Sequence, residues 1–177
     1  MLGVLKSVFA PNAIKQQAFD SYASLVQQSR QPFFYRDWQV DDTMDGRFDI
    51  MVLHCFLILR RCEDETNAYA HTFNRYVSEA FFSDMDRSLR EMGASDTGVG
   101  IRVKNMAQAF YGRVKSYREG MQNHAAMIEA VKRNIYRDRD VSPESLDYMA
   151  SYIERNAQTL SALPFDAVMN GNFSYLN

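Results

Sequence analysis

The chain has 177 residues, enough for one domain with a sizeable core. Hydrophobic residues make up 46% and charged ones 24%, which excludes a wholly disordered chain, and a net charge of -2 argues against a general electrostatic grip on nucleic acid or specific DNA binding. Glycine and proline total only 12, and the long intervals between them favour helices over many short strands.

The first residues carry Lys6 and Lys15 but no acid, with Leu2, Val4, Leu5, Val8 and Phe9 as an apolar start. An interfacial anchor needs more basic residues and a targeting peptide needs arginine, so a frayed arm or a piece that packs on the body is expected. The first helix is predicted from Pro11 to Arg30, with Ile14, Ala18, Tyr22 and Leu25 on one stripe and Val26 beside it. Residues 31–43 form a connection whose Phe33, Phe34, Tyr35 and Trp38 should pin it to the body. Asp41, Thr43, Asp45 and Gly46 match the start of a calcium loop, but Val52 stands where the bidentate glutamate belongs. Helix initiation is the better reading, with Asp42 or Thr43 as cap and Asp45 and Asp49 near the positive end.

From Phe48 to Leu59, ten of twelve residues are apolar. As a helix this run is ~18 Å long, short of the ~30 Å hydrocarbon core of a bilayer, so it predicts a central buried helix rather than a membrane span. His54 reads as a hydrogen-bonded core histidine, since His71 and His124 supply no ligand spacing. Cys55 and Cys62 lie two helical turns apart, too far to bridge, and read as buried thiols of a reducing compartment.

A polar break at 63–67 precedes a helix predicted over Thr66 to Met92, with Tyr69, Phe73, Val77, Phe81, Met85, Leu89 and Met92 on one face. The turn GASDTGVG offers Gly93 as an end signal and Asp96 or Thr97 as the next cap. Val99, Val103, Met106, Phe110, Val114, Tyr117 and Met121 then form a second stripe, which makes a long αα-hairpin. Asp84, Asp86, Arg87 and Arg90 lace the outside of its first helix at spacings worth only ~0.2–0.5 kcal/mol per pair. Arg102, Lys104, Arg113, Lys115 and Arg118 populate the outer side of the second, with Tyr111 among them and no acid between 99 and 118. Gly112 costs ~1 kcal/mol relative to alanine in mid-helix, which predicts a close helix contact there. GVGIRVK fails as a phosphate loop because Val103 replaces the third glycine.

Met121, His124, Ile128, Val131 and Ile135 continue the stripe, so this helix is either very long or broken near Gly120. The last helix starts at Ser142 as cap and Pro143, buries Leu146, Met149, Ile153, Ala157 and Leu160, and stops at Pro164. The tail, with Gly171, Phe173 and Tyr175, should lie across the surface. The expected fold is all-α, a single-domain bundle of about five to seven helices with a central buried helix and a long αα-hairpin. Residues 1–32 form its arm and first helix and 33–177 its main body. No H-E-x-x-H, C-x-x-C, G-x-S-x-G or D-D-x-x-D pattern occurs, so no catalytic residue, cofactor or metal ligand is nominated.

DTMDGRFDIMVLH at 42–54, DMDRSLREMG at 84–93 and VGIRVKNMAQAFYGRVKSY at 99–117 resemble the signature segments of the ubiquinol–cytochrome c chaperone family. RNIYRD at 133–138 and the final helix with its tail are similar to α-proteobacterial members, and the likeness runs from Phe34 to Tyr175. Ile101 departs from it, standing where a lysine is expected before Arg102. The resemblance implies a non-enzymatic assembly factor for respiratory complex III that binds newly made cytochrome b before haem and further subunits join. Mitochondrial members carry an N-terminal extension and work near the ribosomal exit tunnel with a small partner. A bacterial version without that extension is expected in the cytoplasm, with the ribosome near its exit tunnel and the inner-membrane surface as further candidate partners. On this reading Asp84, Asp86, Arg87, Arg90, Arg102, Lys104, Tyr111, Arg113 and Lys115 form the candidate docking set. A peripheral lipid-binding helical protein, or a small helical enzyme on a prenyl or quinone-like substrate, are the alternatives.

Overall fold

A computed structural model describes residues 10–177, so the apolar start expected to form an arm lies outside the described residues. Eight helices follow in order: α1 (Ala10–Ser29), α2 (Pro32–Arg36), α3 (Met44–Glu63), α4 (Ala68–Glu91), α5 (Asp96–Gly120), α6 (His124–Asn134), α7 (Pro143–Ala162) and α8 (Phe165–Met169). Six are long, within the expected number, and α2 and α8 are five-residue helices that the sequence reading treated as connection and tail.

The apolar run becomes the middle of the molecule. Ile50, Val52, Leu53, Cys55, Phe56, Leu57 and Ile58 on α3 are fully buried, and α1, α4, α5, α7 and α8 all pack against it. Thr43 caps α3 by accepting from the Gly46 amide at 3.2 Å, and Arg60 and Arg61 lie in its last turn. Gly46 is required for packing: a Cβ there would sit 2.0 Å from the Asp41 carbonyl oxygen. That crowding accounts for the aspartate–glycine pattern as a helix start. Cys55 and Cys62 are buried and unbridged, as their spacing indicated.

α1 buries Ile14, Ala18, Tyr22 and Leu25 against α3 and α4, each large side chain contributing about 1.5–3 kcal/mol. In α2, Phe34 is fully buried with its ring 5.3 Å from those of Trp38 and Tyr152. The hairpin stripe is buried at Phe81, Met85, Leu89, Val99, Phe110, Val114 and Tyr117, but Met92 is exposed. The helix breaks at Gly120, and Asn123 caps α6. His124 leaves the stripe to sit half-exposed between carboxylates of α7, 2.9 Å from both Glu154 and Asp147, which raise its pKa and clamp α6 to α7.

Two buried polar groups fasten the centre. The first is His54, whose Nδ1 lies 2.7 Å from the Ile50 carbonyl and Nε2 2.8 Å from the Tyr152 hydroxyl. A carbonyl only accepts, so Nδ1–H donates to it and Nε2 accepts from Tyr152. Gln28 donates to Tyr152 in turn, at 3.1 Å, which links α1, α7 and α3. Burial pushes the imidazole down to about 4, so it is neutral near pH 7. The tail goes deeper than expected. The Tyr175 ring stands edge-on to His54 at 4.9 Å, and Asn156 bonds both backbone groups of Leu176, at 2.8 and 3.0 Å.

The second is Asp49, fully buried on α3. Arg137 donates to its Oδ2 at 2.9 Å, and Nη2 of Arg113 lies 2.9 Å from Oδ1, charge against charge but with the N–H off axis. Arg113 was expected on the outer side of its helix, and Asp49 near the positive end of α3. Instead they meet inside, because a lone buried carboxylate costs far more than an exposed ion pair returns. Arg137 and Asp138 have left-handed backbones (φ 53° and 55°), each costing about 1–3 kcal/mol, and the Arg137–Asp49 contact helps to hold them there. The same loop is tied to residues 37–43: Tyr136 donates to the Trp38 carbonyl at 2.6 Å, and Arg139 to that of Gln39 at 3.0 Å.

Tyr152→Phe strands the His54 Nε2 in the core, and chemical denaturation should register a loss of about 1–3 kcal/mol; an unchanged midpoint would contradict the bridge. For Asp49, burial is the largest influence and raises the carboxyl to about 7; Arg113 and Arg137 oppose it, Asp45 adds to it, and Tyr117 packs alongside. The folded value lies above the unfolded one of about 3.9, so the protonated group's contribution is complete below that and lost as pH rises through about 7. The stability of wild type relative to Asp49→Asn should therefore fall between about pH 4 and 7. Asp49→Ala, which leaves Arg113 without its counterion, should cost about 3–5 kcal/mol.

Candidate docking surface

The hairpin that carries the candidate residues is closed by a specific turn. Gly93 has φ 82°, its N–H bonds to the Arg90 carbonyl at 2.9 Å, and that of Ala94 bonds to Leu89 at 3.2 Å, a Schellman end. Ser95 then caps α5 by accepting from the Gly98 amide, one residue before the Asp96 or Thr97 expected. Gly98 and Gly100 fall inside α5, so the turn is shorter than its glycines suggested. Asp96 instead pairs with Arg90 at 2.5 Å and ties the two helices together.

On α4 the laced charges are present as spaced. Arg90 also meets Asp86 at 2.7 Å, and Arg87 meets Asp84 and, at 3.9 Å, Glu91. Asp84 is the least available, because it is mostly buried and accepts from the Tyr22 hydroxyl of α1 at 2.9 Å. Burial of Tyr22, reinforced by Asp84, drives its phenol far above its ordinary value, so the bond is between a neutral phenol and a carboxylate.

On α5 the structure separates residues that the sequence reading grouped. At about 100° per residue, Arg102 and Arg113 share one edge of the helix, while Lys104, Tyr111 and Lys115 lie within about 40° of each other on the other edge. Arg113 is spent on Asp49. Arg102 and Lys104 are exposed and make no ion pair among the described residues, and Lys115 reaches only Glu119, at 3.8 Å. Tyr111 is 59% exposed, its ring near Phe82 and Phe110. Gly112 faces open space, with nothing within 4 Å of where a Cβ would stand, so the close helix contact expected there is absent.

A feature that sequence reasoning missed lies where α1, α3, α4 and α5 converge. A groove of about 670 Å³ opens there, lined by Met44, Met51, Met85, Met92 and Met106, five of the chain's ten methionines. Met44 and Met92 are 45% and 53% exposed. Their scatter over three helices hid them; a count of ten methionines was the only signal in the sequence. No helix among the described residues is long and apolar enough to cross a membrane, and no group of three or more metal-ligating side chains comes together among them.

The family model described as ubiquinol-cytochrome C chaperone matches residues 36–175. Ubiquinol-cytochrome-c reductase complex assembly factor 1 of Xenopus laevis is 23% identical over 85% of this chain and 75% of its own length. The Homo sapiens protein of the same name is also 23% identical, over 92% of this chain but only 54% of itself. The crystal structure of the Cbp3 homolog from Brucella abortus superposes with a TM-score of 0.82 at 33% identity, covering 94% of this chain and 92% of that one. Fold, signature segments and family match agree, and the chain belongs to the ubiquinol–cytochrome c chaperone family.

Proposed function

We propose that this protein is a non-enzymatic assembly factor for ubiquinol–cytochrome c reductase that holds newly made cytochrome b until haem and partner subunits are added. The observation that carries the reading is the family match across residues 36–175, together with relatives whose names describe assembly of that complex. The surface supports it. A holding protein needs reversible contacts, and the exposed pairs of α4, at ~0.2–0.5 kcal/mol each, exchange partners readily. Of the candidate set, Arg102, Lys104, Tyr111 and Lys115 on α5 and Asp86, Arg87 and Arg90 on α4 are open to a partner. Arg113 and Asp84 serve the body instead. Contact with the ribosome near its exit or with the inner-membrane surface would use the basic edge of Lys104 and Lys115.

The test is complementation of a strain lacking the gene with tagged protein. Wild type should capture pulse-labelled cytochrome b and restore its haem absorbance. Arg102→Glu should lower mature cytochrome b several-fold while far-ultraviolet circular dichroism stays unchanged. Normal complex III in the deletion strain would overturn the reading.

A further inference from the structure

The methionine groove lies where α1, α3, α4 and α5 meet, with a volume of about 670 Å³. Resting on the assembly-factor reading above, we propose that it seats an apolar or amphipathic helical segment of the unassembled client, one with a carboxylate beside its apolar face. Met85 and Leu89 on α4 are buried at the edge of the groove, and the exposed Met92 that caps the helix continues their stripe at spacings of four and three residues. Met44, Met51 and Met106 face it from α3 and α5. Unbranched thioether side chains re-pack around different shapes, which suits a holder that receives a segment and later gives it up. The volume, about 670 Å³, falls within the 300–1,000 Å³ typical of binding sites, and a helix would enter it by anchors at i, i+3 or i+4, and i+7.

Charge at the rim selects the flank. Arg47 and Arg87 are neutralised by Asp42 and Asp84. Arg30 lines the groove with no carboxylate partner among the described residues, and Arg102 stands one turn before Met106 on the same side of α5, equally unpaired. Two guanidinium groups beside an apolar floor fit a helix that carries an acid next to its apolar face.

The probe is a fluorescein-labelled 20-residue helical peptide with leucines at those anchor spacings and glutamates at both ends. Its control carries lysines at the ends. Anisotropy should show wild type binding the glutamate-ended peptide more tightly, and Met44→Lys with Met92→Lys weakening it roughly tenfold. Both positions are half-exposed, so the melting temperature should not move. Arg30→Ala with Arg102→Ala should abolish the preference between the two peptides. Equal binding by wild type and the methionine variant, or tighter binding of the lysine-ended peptide, overturns the proposal. So does capture by phosphatidylglycerol vesicles that depends on Met44 and Met92. In cells, loss of cytochrome b in the deletion strain with full rescue by the methionine variant rejects the groove and leaves the assembly reading standing. No loss in the deletion strain rejects the assembly reading, and the peptide measurement still decides whether the groove binds helices.

Discussion

The body of this protein is organised around one buried carboxylate. Asp49 lies on the central helix, Arg113 on the second helix of the hairpin and Arg137 in the loop after α6, and the two arginines reach the buried carboxylate from its rim. Taking a charge out of water costs several kcal/mol, so the ionised form of Asp49 depends on both arginines. That condition sets α5 and the 135–142 loop against α3, and with them the hairpin, whose turn end borders the groove beside the end of α1. The left-handed backbone at Arg137 and Asp138 is a local cost of the same arrangement.

Seen this way, the signature segments divide their labour. In DTMDGRFDIMVLH, Thr43 caps, Gly46 makes room for a carbonyl, Asp49 takes the two arginines and His54 the tyrosine bridge. RNIYRD contributes Tyr136 and Arg137 to the interior. DMDRSLREMG and VGIRVKNMAQAFYGRVKSY are mixed: Met85, Leu89, Phe110 and Tyr117 pack, while Arg87, Arg90, Arg102 and Lys104 stay at the surface. Segments that look like one recognition motif are therefore partly a device for rigidity. Rigidity has a use here, since a groove walled by fixed helices can hold a flexible segment without adding its own ordering cost.

Much of the helical architecture was legible because helices announce themselves locally. The stripes of α1, α4, α5 and α7, the Ser142 cap, the break at Gly120 and the buried character of 48–59 all rest on contacts within a few residues. What was hidden depends on distance in sequence. Arg113 looks like its exposed neighbours until Asp49, 64 positions earlier, is placed beside it (113 minus 49). His124 keeps the apolar period yet turns towards Glu154 and Asp147 because α7 presents two carboxylates there. Helical spacing alone did separate Arg102 from Lys104, but grouping by charge obscured it. Gly112 has no packing explanation in the structure. The methionine groove was out of reach because its walls come from four helices.

On the proposal above, the body offers its client the apolar groove rather than the basic edge of Lys104 and Lys115. Site-specific photocrosslinking during synthesis of cytochrome b tests this directly. A benzophenone amino acid at position 92 should crosslink to newly made cytochrome b, and one at position 104 should not or only weakly. Crosslinks from position 104 with none from position 92 would contradict the account and return the docking role to the basic edge of α5.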